Sequence, residues 1–205
     1  MSKIDIMDWD YLEVLHSDIR KFEKIIDEFG AIEHTGNISD FQFLRLYLYK
    51  YESLFIIKYL KKFEVDTSKY EDIYEKLSEK WRDEEKKYVQ IIADQLLNDL
   101  KDIRQYRGTV EYYFGAEDPD TPEDLWGRDC MEIEIITLRD FGYKIDDILE
   151  PIRKLDEKLK KIYFSDREAI LEEGPVIEHP YYPDNFWWRH PSKLFSGDIK
   201  SITPP

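Results

Sequence analysis

The chain has 205 residues, 42% hydrophobic, 37% charged and 15% aromatic, with a formal net charge of −15. A chain of this length forms one domain that buries roughly 70% of its unfolded surface, and its aromatic content excludes a disordered polymer. Its single cysteine, Cys130, excludes an internal disulfide or a cysteine-based zinc site and suits a reducing compartment.

No segment approaches the roughly 18 uninterrupted apolar residues of a spanning helix. The opening MSKIDIMDWD alternates apolar and acidic groups and lacks a basic start followed by an apolar run. Neither a secretory signal nor a membrane anchor is expected, and the chain reads as cytoplasmic.

In chain order, apolar residues at Leu12, Leu15, Ile19, Phe22, Ile26 and Phe29 line one helix face, and Gly30 is expected to end that helix. A second helix follows Ser39, a suitable N-cap, and is apolar nearly all round, as a central helix is. A third starts near Asp66 or Ser68 and extends to about Arg107, with Ile73, Leu77, Trp81, Tyr88, Ile92, Leu96, Leu100 and Ile103 facing inward. At about 60 Å, a break within it is expected. After a loop from Thr109 to Asp120, Thr121-Pro122-Glu123-Asp124 carries cap, first-turn proline and dipole-favouring acids, and so starts a fourth helix that ends at Phe141-Gly142. The fifth presents Ile145, Ile148, Ile152, Leu155, Leu159 and Ile162; Pro151 either kinks it or marks its first turn, and the first-turn reading is preferred.

Six of the nine prolines follow Gly174, so the tail is expected to be extended. It also carries Tyr181, Tyr182, Phe186, Trp187, Trp188 and Phe195, too much aromatic surface for a solvated linker. The plan is all-α: an antiparallel bundle of about five helices over residues 1–173, with a Pro-rich aromatic strap over 174–205 docked on the same domain. Shifted by 78 residues, LFIIKYLKKF and the following EVDTSKYEDIYEKLSEKW overlie EIEIITLRDF and GYKIDDILEPIRKLDEKL without a gap. Either the helical hairpin is duplicated or two amphipathic hairpins coincide.

Charge is concentrated. Between Thr109 and Glu134 lie Glu111, Glu117, Asp118, Asp120, Glu123, Asp124, Asp129, Glu132 and Glu134 against one base, Arg128, a charge of −8. Such a field repels nucleic acid and membrane surfaces and speeds encounter with a basic protein.

The chemistry-bearing candidates are sparse. Glu52 interrupts the most apolar helix, as a buried paired acid or as a base or metal ligand. Glu13 and His16 form one E-x-x-H where a di-iron bundle needs two. Glu84, Glu85, Asp94, Glu132 and Glu134 invite comparison with all-helical magnesium-dependent nucleotide pyrophosphohydrolases, but Tyr88 stands where a further glutamate belongs and no basic cluster would hold phosphates. His179, Asp184 and His190 could meet a metal only on the tail. No Gly-rich phosphate loop, G-x-S-x-G elbow or H-E-x-x-H is present, so no enzyme activity, metal or cofactor is expected.

His179-Pro180-Tyr181-Tyr182-Pro183, with Gly142, Ile145, Asp146, Asp147 and Ile148, resembles the C-terminal pattern of immunity proteins that neutralise polymorphic-toxin DNases in bacterial competition. The resemblance covers residues 141–183 and implies a helical, cytoplasmic inhibitor of a nuclease. It departs from the family pattern in AILEEGPVIE, before the signature, and in the FWWRHP extension. The expected function is therefore a non-catalytic inhibitor that binds a basic toxin through Glu111, Glu117, Asp118, Asp120, Glu123, Asp124 and Asp129, with Trp187 and Trp188 as aromatic contacts. The alternatives are a metal-dependent helical hydrolase using Glu52, Glu84, Glu85 and Glu132, or an acidic adaptor protein.

Overall fold

The computed structural model describes residues 11–32, 40–104, 107, 125–172 and 178–198. Among them the chain is all-α, with no strand: α1 (Tyr11–Ile32), α2 (Asp40–Lys61), α3 (Ser68–Lys101), α4 (Trp126–Asp140), α5 (Asp146–Ser165), α6 (Arg167–Glu172), a 3-10 turn (Trp187–Arg189) and α7 (Pro191–Ser196). None of these helices is long and apolar enough to cross a membrane. The chain divides into two compact units, Met1–Ile92 and Ala93–Pro205, and α3 runs from the first into the second.

In the first unit the apolar stripe of α1 is buried: Leu15, Ile19, Phe22, Ile26 and Phe29 are all nearly inaccessible. Gly30 does not end the helix, which continues to Ile32; a glycine costs a helix interior only about 1 kcal/mol relative to alanine. Helix α2 buries Phe43, Leu46, Tyr47, Phe55, Ile56 and Leu60. Phe29 joins the three helices, its ring 4.9 Å from Phe43 and 5.2 Å from the fully buried Trp81 of α3. The pairings Lys61–Glu71 and Tyr47–Glu85 run in opposite directions along α2 and α3, as in an antiparallel hairpin.

Helix α3 is a single element of 34 residues, about 51 Å long. The expected break falls at Asp102–Ile103, where α3 ends; Arg104 and Arg107 are again helical, and the Arg107 N–H bonds the Ile103 carbonyl at 2.8 Å. Asp102 closes it: its N–H bonds the carbonyls of Asn98 and Asp99, and its carboxylate takes Arg104.

In the second unit α4 ends at Asp140, with Phe141 as its C-cap. The proposed start at residues 121–124 lies outside the described residues. Helix α5 begins at Asp146, five residues before Pro151, so the proline lies inside the helix and the first-turn reading is corrected. The site tolerates it because Pro151 and Asp147 are both exposed, so the carbonyl that loses its intrahelical donor faces water.

The 78-residue correspondence extends to the backbone of the two hairpin corners. Glu64 donates to the Lys61 carbonyl and Val65 to that of Leu60; Gly142 donates to Arg139 and Tyr143 to Leu138. These are the paired bonds of a Schellman helix end. The next helix starts alike, on the carbonyl of Thr67 in one corner and of Ile145 in the other. The residue that turns left-handed is Glu64 at φ 59° in the first and Gly142 at φ 82° in the second. Only the second carries the residue that this conformation favours.

Because a Cβ on Gly142 would meet nothing within 4 Å, Gly142→Ala pays only the torsional cost and should destabilise by about 1 kcal/mol. Glu64→Gly, at the matching position, should not destabilise. Urea unfolding of both variants checks the asymmetry.

Candidate functional site

The most elaborate constellation lies in the second unit, where the strap meets α4 and α5. Helix α4 is unusual in burying charge: Arg128, Asp129, Glu132 and Glu134 are all on buried positions. Each therefore needs a partner or a shifted proton equilibrium.

Asp129, 1% exposed, receives three donors from the strap. Trp188 Nε1–H donates to Oδ1 at 2.7 Å, Arg189 Nη2–H to Oδ2 at 2.6 Å, and Arg189 Nε–H is shared between Oδ1 at 3.2 Å and Oδ2 at 3.1 Å. The guanidinium and carboxylate thus meet as a two-pronged fork. Burial pushes the Asp129 carboxyl up while Arg189 and Trp188 act against it. Burial would also lower Arg189, but the carboxylate outweighs it and holds the guanidinium above its ordinary range. We read the pair as ionised, because both prongs of the fork are made.

Beside it, Arg128 bridges Glu132 at 2.9 Å and Asp156 of α5 at 3.0 Å, and its guanidinium lies 4.1 Å from the Trp188 ring centre. Asn185 Nδ2–H donates to the other oxygen of Glu132 at 2.8 Å. Tyr163 of α5 donates to the Trp188 carbonyl at 2.9 Å, and Lys160 sits 5.2 Å from the Trp187 ring. Both faces of the hairpin cleft are thus tied to residues Asn185–Arg189.

Over its described part, residues 178–198, the strap is not extended. The N–H groups of Tyr182, Phe186 and Arg189 each bond the carbonyl three residues back, giving successive turns, and Pro191 opens α7 at a first-turn position. Prolines here preset the backbone angle of turns and of a helix start. Tyr182, Phe186, Trp187 and Trp188 are all buried and together contribute about 6–12 kcal/mol. His190 Nε2–H donates to the Tyr182 carbonyl at 2.9 Å, while its buried Nδ1 has no partner among the described residues.

Of the residues expected to meet a partner, Glu111, Glu117, Asp118, Asp120, Glu123 and Asp124 lie outside the described residues. Asp129, Trp187 and Trp188 are buried within the second unit, where they hold the strap to α4 instead of standing on a surface. Glu134, also buried, has its carboxyl raised well above the usual range by burial and by Asp99.

The carboxylates of the hydrolase alternative do not assemble. Glu52 is half-buried, Glu84 pairs with Lys87 at 3.0 Å, and Glu132 is held as above. Glu85 is a hub of the first unit: its Oε1 accepts from Tyr47 Oη at 2.9 Å and Trp81 Nε1 at 3.0 Å, with Lys50 at 3.6 Å. Glu13 is exposed and His16 packs edge-on to Tyr70. Among the described residues no three His, Cys, Asp or Glu side chains are grouped to hold a metal ion. Sequence reasoning missed Arg189, Asn185 and Asp156; the only available signal was a basic residue placed directly after two tryptophans.

Glu85 also lines a cleft between α2 and α3 of about 430 Å³, with Lys50, Leu54, Tyr74, Ser78 and Arg82 among its walls. Comparison with protein-family models, curated proteins and solved structures gives no match.

Arg189→Met leaves Asp129 buried without its ion partner, which should cost about 3–5 kcal/mol. Urea unfolding measures the loss, with tryptophan emission moving to the red as Trp188 becomes wet. The strap should also respond to acid. Burial, then the charges of Arg189 and His190, lower the His179 pKa from 6.5 to about 4. The unfolded chain takes up this proton first, so the stabilisation is complete above about pH 6.5 and is lost as pH falls toward 4. His179→Gln should flatten that part of the stability profile, measured by thermal unfolding across the range.

Proposed function

We propose that this protein is a non-catalytic inhibitor of the immunity type, acting in the cytoplasm of a toxin-producing bacterium. It binds and neutralises a cognate toxin, a basic nuclease, through Glu111, Glu117, Asp118, Asp120, Glu123 and Asp124. The observation that carries this reading is the placement of charge. Residues 109–124 hold six acids and no base, whereas the three acids that follow, Asp129, Glu132 and Glu134, are buried. Within residues 109–134, the acids that are not buried in α4 are therefore these six.

A nuclease presents basic groups to its substrate's phosphates, and an acidic counter-surface competes for them. The resemblance of His179–Pro183 and Gly142–Ile148 to the immunity pattern supports the same reading. His179–Pro183 belongs to the strap, and Gly142 sits at the corner between α4 and α5. In this reading both motif elements maintain the scaffold, and the acidic segment selects the partner.

Replacing Asp118, Asp120, Glu123 and Asp124 together with lysine should slow association with the toxin by at least about tenfold at low salt, and the difference should shrink as salt rises. Stopped-flow or surface-based kinetics with the product of the adjacent gene reads it directly. Unchanged association at low ionic strength would remove this surface from the mechanism.

A further inference from the structure

We infer that the cleft between α2 and α3 is a docking site for a short aromatic and basic segment of a partner protein, seated as Asn185–Arg189 is seated on α4 and α5. This does not depend on the acidic-segment reading, because it uses different residues.

The first argument is positional. In the second unit the strap is gripped by Arg128, Glu132, Lys160 and Tyr163. Subtracting 78, with the hairpin corners in register, gives Lys50, Leu54, Arg82 and Glu85. All four line the open cleft. The same face of the same hairpin is thus filled in one unit and open in the other.

The second argument is chemical. Lys50 and Arg82 retain the cations that lie against Trp188 and Trp187 in the filled copy; Lys50 already stands 5.4 Å and 5.7 Å from the Tyr47 and Tyr51 rings, so the open ring-stacking position is the one at Arg82. The acid has changed place. Where the filled copy uses Asp129, the first unit has Tyr51, and its carboxylate comes from Glu85 on the opposite helix. All three of the Glu85 contacts fall on Oε1, which leaves Oε2 for a donor such as an indole N–H. Glu75 and Glu79 stand on the same wall, so three acids face two bases and the balance favours a basic side chain beside the rings.

The third argument is an under-satisfied hydroxyl. Ser78 Oγ, in the cleft wall, is buried with the Tyr74 hydroxyl as its polar neighbour but with no hydrogen bond of normal geometry among the described residues. Its counterpart in the filled copy is Asp156, which binds Arg128. A volume of about 430 Å³ is within the range of about 300–1,000 Å³ typical of ligand clefts.

The test uses the full chain and a fluorescein-labelled synthetic peptide, HPYYPDNFWWRHPSK, which carries the aromatic and basic chemistry. Saturable binding below about 1 mM, followed by anisotropy, should be weakened about threefold or more by Arg82→Ala and restored by Arg82→Lys. The peptide with both tryptophans replaced by alanine should not bind. Absence of binding, or binding indifferent to Arg82, would overturn the inference. Lys160→Ala identifies the main competitor: sensitivity there alone means that the peptide has displaced the chain's own strap. A dimer that forms without peptide and is lost on Arg82→Ala would assign the cleft to a second copy's strap, and so would overturn the partner assignment.

Discussion

The second unit depends on the fork between Asp129 and Arg189. A carboxylate that is 1% exposed costs several kcal/mol to desolvate unless an ion meets it with matched hydrogen bonds. No residue of α4 itself occupies that position: Arg128, its neighbour, is already divided between Glu132 and Asp156. The required cation comes from 60 residues away, at the end of the aromatic run. Once Arg189 is fixed, Trp188 is carried into the cleft, its indole N–H also reaches Asp129, and its carbonyl meets Tyr163. The apolar and ionic contributions of the strap are therefore coupled. The rings supply most of the free energy, while the fork determines the register in which they bind.

The two hairpins show how one backbone plan accommodates different chemistry. In the first, the residues of α2 that correspond to the charged face of α4 are Lys50, Tyr51, Leu54 and Ile56. Apart from Lys50, the acid–base content there is replaced by rings and aliphatic groups, and α1 packs against α2 to complete the core. Glu85 is satisfied within the hairpin by Tyr47 and Trp81, and the buried Asp18 of α1 pairs with Lys21 at 3.3 Å. Among the described residues this core has no buried carboxylate without a partner, so none demands a strap.

How much of this was legible follows from the range of the interactions. The stripes of α1 and α5 were readable because a helix repeats its buried face every three or four residues, and Leu15–Phe29 and Ile152–Ile162 obey that spacing. The docking of the tail was readable because Tyr182, Phe186, Trp187 and Trp188 could not stay in water. Its turns were not, since proline is compatible with both extended chain and turn starts, and the choice rests on which carbonyls accept at i−3. Gly30 and Pro151 misled as helix punctuation, because each costs only what its local setting imposes. The pairing of Asp129 with Arg189 left no periodic trace, so the reading of that acid as a surface contact could be revised only by its burial.

Removing the buried acids from the surface sharpens the electrostatics. Over Thr109–Glu134 the formal charge is −8, but Arg128, Asp129, Glu132 and Glu134 lie inside the second unit. Arg128 is neutralised by Glu132 and Asp156, Asp129 by Arg189, and burial raises the Glu134 carboxyl well above its usual range, favouring the neutral form. The six remaining acids fall within a stretch of 14 residues and have no base among them. Attraction between exposed charges is screened beyond about 8–10 Å at ordinary ionic strength, so acids close together in sequence act jointly on a partner more than the same charge dispersed over the chain. Such a field governs how fast a basic partner arrives and in what orientation. Residence after arrival depends on desolvated rings and paired ions, and in the second unit these are already committed to the strap. In the first unit, the cleft at Lys50, Arg82 and Glu85 retains both a place for rings and an acid facing them.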